Sequence, residues 1–297
     1  MRARLKACDI LKFIKMQGCG NDYVYIDCLE QSLENESEAA IKLSNRHFGV
    51  GADGLILIKK GSAADFEMVM YNADGSRAEM CGNGIRCVAR YVYDKGYTDS
   101  SEFTVESMGK VKNIRLVLNG AEVKAVRVDM GAPVLHAAEV PVISQTDKVI
   151  NSPVQIGGRD FNMTCVSMGN PHAVMFIAES PREFELERFG PLFESSKMFP
   201  NRVNAEFARI ISDKEIEMRV WERGTGETLA CGTGACATAV AARLCGYTGD
   251  EVVLHLVGGD LKIEWNGRED SPVYMTGPAE YAFTGDIDID KIRRFNI

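Results

Sequence analysis

The sequence has no apolar run long enough to cross a bilayer, which argues against a membrane role. It also lacks any block of clustered Lys and Arg. With a formal net charge of −8 it offers no surface of the kind that nucleic-acid phosphates require. No Cys-x-x-Cys pairing occurs among its nine cysteines. The nearest neighbours, Cys81/Cys87 and Cys231/Cys236, lack redox or zinc spacing, and the odd count makes reduced thiols the default. Regular alternation of strand and helix is missing too, and the Gly-x-Gly of each repeat described below follows a cysteine, which disfavours a Rossmann arrangement. The amino terminus, MRARLKACDILKFIK, is basic, but Asp9, Lys12 and Lys15 interrupt the apolar stretch that a secretory signal needs. A cytoplasmic location is therefore expected. The remaining composition, 45% apolar and 26% charged over 297 residues, is that of a soluble globular protein long enough for two domains. Its acidic balance suits a small-molecule partner. A homodimer is compatible with the sequence, which does not specify oligomeric state.

The chain repeats itself. CGNGIRCVARYVYDKGYT begins at Cys81 and CGTGACATAVAARLCGYT begins at Cys231, 150 residues later, and both end in Gly-Tyr-Thr without a gap. Gly20-Asn21-Asp22 and Gly169-Asn170-Pro171 recur at nearly the same offset, as do Asn119-Gly120 and Asn266-Gly267. Each copy reads as a Cys-Gly-x-Gly turn, a helix of about four turns, and a glycine stop at Gly96 or Gly246. The second helix, Ala235 to Leu244, is apolar on nearly all sides, and the first carries Ile85, Val88, Ala89 and Val92 at helical spacing. Such helices are expected to be enclosed. After each come β-rich runs whose Asn-Gly dipeptides read as hairpin turns. The expected fold class is α+β, with two pseudo-symmetric domains, each an antiparallel barrel-like sheet wrapped around a central buried helix. The link between them falls where GAPVLHAAEVP loses strand alternation, giving halves of 1–131 with 280–297, and 132–279.

A helix amino terminus presents unpaired N–H groups and partial positive charge, so it holds a carboxylate and favours a thiolate. CGNG and CGTG each place a thiol there, with glycines that let a substrate approach the backbone. A thiol with lowered pKa is a base, and a neutral thiol facing it is an acid. If the halves face one another across a pseudo-twofold axis, Cys81 and Cys231 address one carbon from opposite sides and invert it. The backbone amides of Gly82, Asn83, Gly232 and Thr233 would then stabilise the charge that develops on the neighbouring carboxylate. Either cysteine alone would read as a small buried hydrophobe at a tight turn. Repetition of the same four-residue pattern at two helix starts favours chemistry. Cys87 and Cys236, within helices, keep the structural reading, as do Cys8, Cys28, Cys165 and Cys245.

Six stretches in order carry a resemblance over nearly the whole chain: MQGCGNDYVYID at 16–27, FGVGADGLI at 48–56, YNADGSRAEMCGNGIRC at 71–87, GNPHAV at 169–174, NRVNAEF at 201–207 and WERGTGETLACGTGACA at 221–237. The sequence resembles the diaminopimelate epimerases, which interconvert LL- and meso-diaminopimelate. The resemblance implies that Cys81 and Cys231 are the acid–base pair and that neither metal nor pyridoxal phosphate is needed. It implies that Asn21, Asn170 and the backbone of Gly82, Asn83, Gly232 and Thr233 hold the reacting end of the substrate. Asn72, Asn204, Glu222 and Arg223 would grip the distant amino-acid end, where Arg forks onto a carboxylate and Asn both donates and accepts. His172 would lie near the thiols and tune their protonation. By residue type alone, Asn21 and Asn170 are equally readable as turn residues, and Glu222-Arg223 as a solvated ion pair. The chain departs from many relatives in having Gln17-Gly18-Cys19-Gly20-Asn21 where they have His-Gly-Leu-Gly-Asn.

Three other readings compete. An epimerase of the same architecture could act on another amino acid, of histidine or proline type. A cysteine hydrolase would need a histidine base beside one thiol and no symmetric partner, and the duplication disfavours it. A structural metal module would use Cys81, Cys87, Cys231 and Cys236.

Overall fold

The computed structural model describes residues 10–78 and 81–291. In chain order the elements are β1 Ile10–Gly18, β2 Asn21–Asp27, α1 Glu36–Ser44, β3 Gly54–Lys60, β4 Phe66–Asn72, β5 Arg77–Ala78, α2 Gly82–Asp94, β6 Glu102–Ser107, β7 Lys110–Asn119, β8 Glu122–Gly131 and β9 Ser152–Ile156. There follow β10 Arg159–Ser167, β11 Pro171–Phe176, α3 Leu186–Glu194, β12 Asn204–Ser212, β13 Glu215–Glu222, β14 Gly226–Glu227, α4 Gly232–Leu244, β15 Glu251–Leu256, β16 Gly259–Glu264, β17 Val273–Gly277 and β18 Glu280–Asp288. These form two compact units. One holds the described residues up to Ile114 and from Ala279 onward, and the other is Arg115–Pro278.

In the first unit the strands run β18-β1-β2-β3-β4-β6, antiparallel except at β2–β3 and β4–β6. In the second they run β9-β10-β11-β12-β13-β15-β16-β17-β8, antiparallel except at β11–β12 and β13–β15. The segments β1 to β6 and β10 to β15 thus share one sequence of pairings: antiparallel, parallel, antiparallel, parallel. The repeat in the sequence is a repeat of topology. Each parallel step needs a crossover, and each of the four crossovers carries one of the helices.

Strand alternation explains how both faces of each sheet are filled. On β2 and β3, Val24, Ile26, Leu55 and Leu57 pack with Ala39, Ala40 and Leu43 of α1. Residues of opposite parity, Tyr25 and Ile56, are also fully buried, and a Cβ at Gly84 of α2 would lie 2.6 Å from Ile56 Cδ1. In the second unit Ala205 and Phe207 of β12 pack with Phe189 and Phe193 of α3, while Glu206 between them faces α4. A sheet covered on both sides reads as an unbroken apolar run, as GLILI does at β3. The shorter helices α1 and α3 provide the second cover, and neither stands out in the sequence. Their hydrophobic stripes are short, and α3 contains Pro191.

Helices α2 and α4 are the enclosed ones. Residues Gly234 to Ala242 of α4 are all buried, and it touches β10, β11, β12, β15, β16 and β17 of its own sheet. Both end as the glycine stops foretold. Gly96 and Gly246 have φ of 74° and 76°, with Tyr97 N–H donating to Val92 O at 3.0 Å and Tyr247 N–H to Ala242 O at 2.9 Å.

Other details differ from the sequence reading. Asn266-Gly267 lies in a longer link between β16 and β17, tied by Trp265 Nε1–H donating to Arg268 O, and is not a two-residue hairpin. Strand β8, taken as the end of the first half, pairs with β17 within the second unit. The Gly-x-Gly-x-x-Gly spacing at Gly49, Gly51 and Gly54, which the sequence reading left out when it set aside a Rossmann arrangement, leads into strand β3 instead of opening a helix, so it has no N-terminus to offer a pyrophosphate.

An added Cβ at Gly96 or Gly246 would meet nothing within 4 Å, so substitution there tests backbone strain alone. Gly96→Ala and Gly246→Ala should each lower stability by about 1 kcal/mol, the left-handed cost of an L residue. Thermal unfolding of the two single variants measures it, and an unchanged Tm would contradict the stop.

Candidate active site

Each thiol caps its own helix. Cys81 and Cys231 are the N-cap residues of α2 and α4, in extended conformation with φ of −129° and −113°. A cap is ordinarily an oxygen that accepts the N–H two or three residues on. Here sulfur does so, with Gly84 N–H donating to Cys81 Sγ at 3.3 Å and Gly234 N–H to Cys231 Sγ at 3.4 Å. The last glycine of each motif has a steric reason. At Gly84 a Cβ would press on Ile56, and at Gly234 it would lie 2.7 Å from Glu206 Oε1. Glycine lets the cap approach the central strands of its sheet.

Around Cys81 the first unit gathers Asn21, Asn83, Tyr23 and Arg86. Asn21 opens β2 after a two-residue turn in which Cys19 and Gly20 have φ of 53° and 81°, the geometry that reverses a tight hairpin. Its Oδ1 accepts from Cys81 Sγ at 3.1 Å and from Asn83 Nδ2 at 3.4 Å. Its Nδ2 donates to Asp53 Oδ2 at 2.8 Å, and Arg46 holds both Asp53 and Asp22. Burial alone would raise the Asp22 carboxyl, but Arg46 and Lys15 overcome it and leave it below the ordinary carboxylate range. Arg86, fully buried one turn into α2, donates to Gly82 O at 3.1 Å and lies 3.8 Å from Cys19 Sγ. Burial raises the Cys81 thiol above its ordinary value, an effect that the N–H groups of Gly84 and Asn83 and the Arg86 guanidinium only partly offset.

Around Cys231 the second unit gathers Asn170, His172, Glu206, Glu222, Thr228 and Thr233. His172 places Nδ1 2.7 Å from Glu206 Oε1 and Nε2 2.9 Å from Asn170 Oδ1, and both His172 and Glu206 are wholly buried. Thr228 donates to Glu222 Oε1, and burial raises the Glu222 carboxyl. Thr233 Oγ1 lies 3.5 Å from Cys231 Sγ. Burial drives the Cys231 thiol well up, and Glu222 and Glu206 drive it further.

Within their own units, then, the sequence-predicted residues Asn21, Gly82 and Asn83 stand at Cys81, and Glu222, Gly232 and Thr233 stand at Cys231, with His172 linked to that sulfur through Glu206 and Glu222 and Asn170 through His172. The distant-end residues are placed differently. Asn72 is exposed at the end of β4 with Nδ2 donating to Ser76 Oγ at 3.0 Å. Asn204 is buried with its amide committed to backbone: Nδ2 donates to Pro171 O and Oδ1 accepts Arg223 N–H at 2.8 Å. Arg223 is exposed, with Nη1 on Asn201 O. Sequence reasoning missed Asp53, Arg86 and Glu206. The last two carried a signal, since each is a lone charge within an otherwise apolar buried stretch.

A family model described as diaminopimelate epimerase matches residues 13–136 and 164–282. The chain belongs to the diaminopimelate epimerase family. A protein of that name from Methanococcus maripaludis is 51% identical over 279 residues, covering 94% of this chain and 100% of the relative. One from Agathobacter rectalis is 52% identical over 286 residues with the same coverages. Among solved structures, a phenazine biosynthesis protein of the PhzF family from Bacillus anthracis aligns with a TM-score of 0.70 at 15% identity, covering 94% of this chain and 99% of that one. A hydroxyproline epimerase from Agrobacterium vitis aligns at 0.66 and 13%, covering 94% and 91%. These two share the fold. Family membership makes the chain an isomerase.

The charge difference between the two surroundings is measurable. In pH-dependent alkylation read cysteine by cysteine by mass spectrometry, the midpoint for Cys81 should lie below that for Cys231, whatever their accessibility. Removing a negative neighbour favours a thiolate, so Glu222→Gln should lower the Cys231 midpoint. The reverse order, or no response to Glu222→Gln, would contradict the electrostatics.

Proposed function

We propose that the chain interconverts LL- and meso-diaminopimelate by two-base proton exchange at the α-carbon, with Cys81 and Cys231 as the exchanging groups. The observation that carries this reading is the duplicated thiol cap: the same sulfur at the same place on two equivalent buried helices. In one direction the Cys81 thiolate removes the α-proton and becomes a thiol, the electron pair passes into the adjacent carboxylate, and the Cys231 thiol returns a proton to the opposite face and becomes a thiolate. The reverse reaction exchanges the roles. Both thiols are raised by burial, and with Arg86 beside Cys81 and two carboxylates beside Cys231, Cys81 is the readier of the two to give up its proton and Cys231 the readier to keep it.

The substrate carboxylate in this reading lies against the N–H groups of Gly82, Asn83, Gly232 and Thr233, where the helix termini stabilise growing negative charge. Asn21 and Asn170 orient it. Asn72 and Arg223 take the distant amino-acid end, Asn204 serves them by fixing the backbone of Arg223, and Glu222, expected at that end from the resemblance, lies beside Cys231 instead. No helix among the described residues is long and apolar enough to cross a membrane. The reading places the protein in the cytoplasm, where reducing conditions keep both thiols available.

Incubation with LL-diaminopimelate in heavy water tests the mechanism. Inversion should be accompanied by deuterium at the reacting carbon. Cys81→Ala and Cys231→Ala should each lower kcat by about 10²- to 10⁴-fold, the usual worth of a positioned acid or base, with far-ultraviolet circular dichroism unchanged. Either variant turning over at the parent rate would rule out its assigned role.

A further inference from the structure

Glu206 is a carboxylate where an apolar residue would be expected. It sits in β12 between Ala205 and Phe207, is wholly buried, and has one oxygen, Oε2, without a hydrogen-bond partner. The corresponding position in the first unit, 150 residues earlier, is Ile56. Both residues face the last glycine of their Cys-Gly-x-Gly motif. A buried ionised carboxylate is costly unless a positive charge answers it.

The geometry supplies that charge. Both ring nitrogens of His172 face oxygens: Nδ1 faces Glu206 Oε1 at 2.7 Å and Nε2 faces Asn170 Oδ1 at 2.9 Å. An amide carbonyl carries no proton, so Nε2 must donate. An ionised Glu206 carries none either, so Nδ1 must donate as well. The ring then holds two protons, one directed at each oxygen. The pair is net neutral, as a buried site demands.

We propose that Glu206 is a positioning residue that keeps His172 doubly protonated. Its effect on the reaction, which rests on the epimerase reading, runs through Asn170. An imidazolium Nε2–H donates only to the carbonyl oxygen of the amide, which turns the NH₂ of Asn170 away from the ring and leaves it to donate to the substrate carboxylate. A neutral ring with Nδ1–H would present a lone pair at Nε2 and favour the opposite amide orientation. The ionisable groups around this pair are Glu222 on β13, Cys231 at the start of α4 and Cys165 on β10. The first unit has no such relay. There Tyr23 and Ile56 hold the corresponding positions, and Asn21 is oriented by Asp53 instead.

The test is nitrogen-15 NMR of the histidine rings in the full-length protein. With four histidines in the chain, His172→Gln assigns the resonance. In the parent protein both nitrogens of His172 should show protonated shifts across about pH 6 to 8, beyond the range of an unperturbed ring. Glu206→Gln should convert the ring to a singly protonated form and lower kcat/KM about 10- to 100-fold, the usual worth of a charge-assisted bond. The Glu206→Gln/His172→Gln double variant should lose no more than the worse single variant. A singly protonated His172 in the parent protein at neutral pH would overturn the proposal, and that measurement stands even if Glu206→Gln fails to fold. So would a Glu206→Gln protein with unchanged ring shifts. The ring spectrum reads out independently of turnover, so absence of diaminopimelate epimerisation would count against the functional reading and leave this one decided by NMR.

Discussion

A sulfur atom that accepts a backbone N–H at the start of a buried helix is the constraint on which the rest depends. The bond fixes the thiol at the positive end of the helix. It also requires the third residue after each cysteine to be glycine, because the helix start is pressed against the middle of its sheet. From that approach follow the apolar character of the helices, the coverage of both sheet faces and the presence of buried charge within reach of sulfur. The placement of the thiol and the packing are therefore one requirement, met twice in the chain.

The two copies are alike in backbone and unlike in charge. Pairing order, cap geometry and helix stop repeat, and the caps differ by only 0.1 Å in their hydrogen bonds to sulfur. Around them the side chains diverge: Arg86 and Ile56 on one side, Glu206, Glu222 and His172 on the other. Small local substitutions on a repeated frame are enough to give two equivalent thiols different electrostatic surroundings.

Much of this was legible because it is periodic or local. The repeat could be read from matching residues alone, and the helix stops from glycine at a fixed distance after each cysteine. The enclosed helices followed from apolar residues on nearly all sides of the second and at helical spacing in the first. What escaped depends on contacts between residues far apart in sequence. Arg46 and Asp53 belong to a loop whose link to Asn21 exists only when β2 lies beside β3. Glu206 meets His172 only because β11 and β12 are parallel neighbours, with the register bringing Asn204 opposite His172. Asn266-Gly267 misled for the converse reason: the dipeptide favours a tight turn, but Trp265 holds the chain in a wider loop. The same holds for Asn204, whose amide reads as a ligand in sequence and is spent on backbone in the fold.

The pairing of Ile56 with Glu206 at equivalent places bears on how such a protein could arise. Two identical chains assembled about a symmetry axis must present identical neighbours to both sulfurs, so neither could be set apart as donor or acceptor before substrate arrives. Covalent fusion removes that obligation, since each copy can then mutate alone. One polypeptide can thus carry different charge beside two otherwise equivalent thiols.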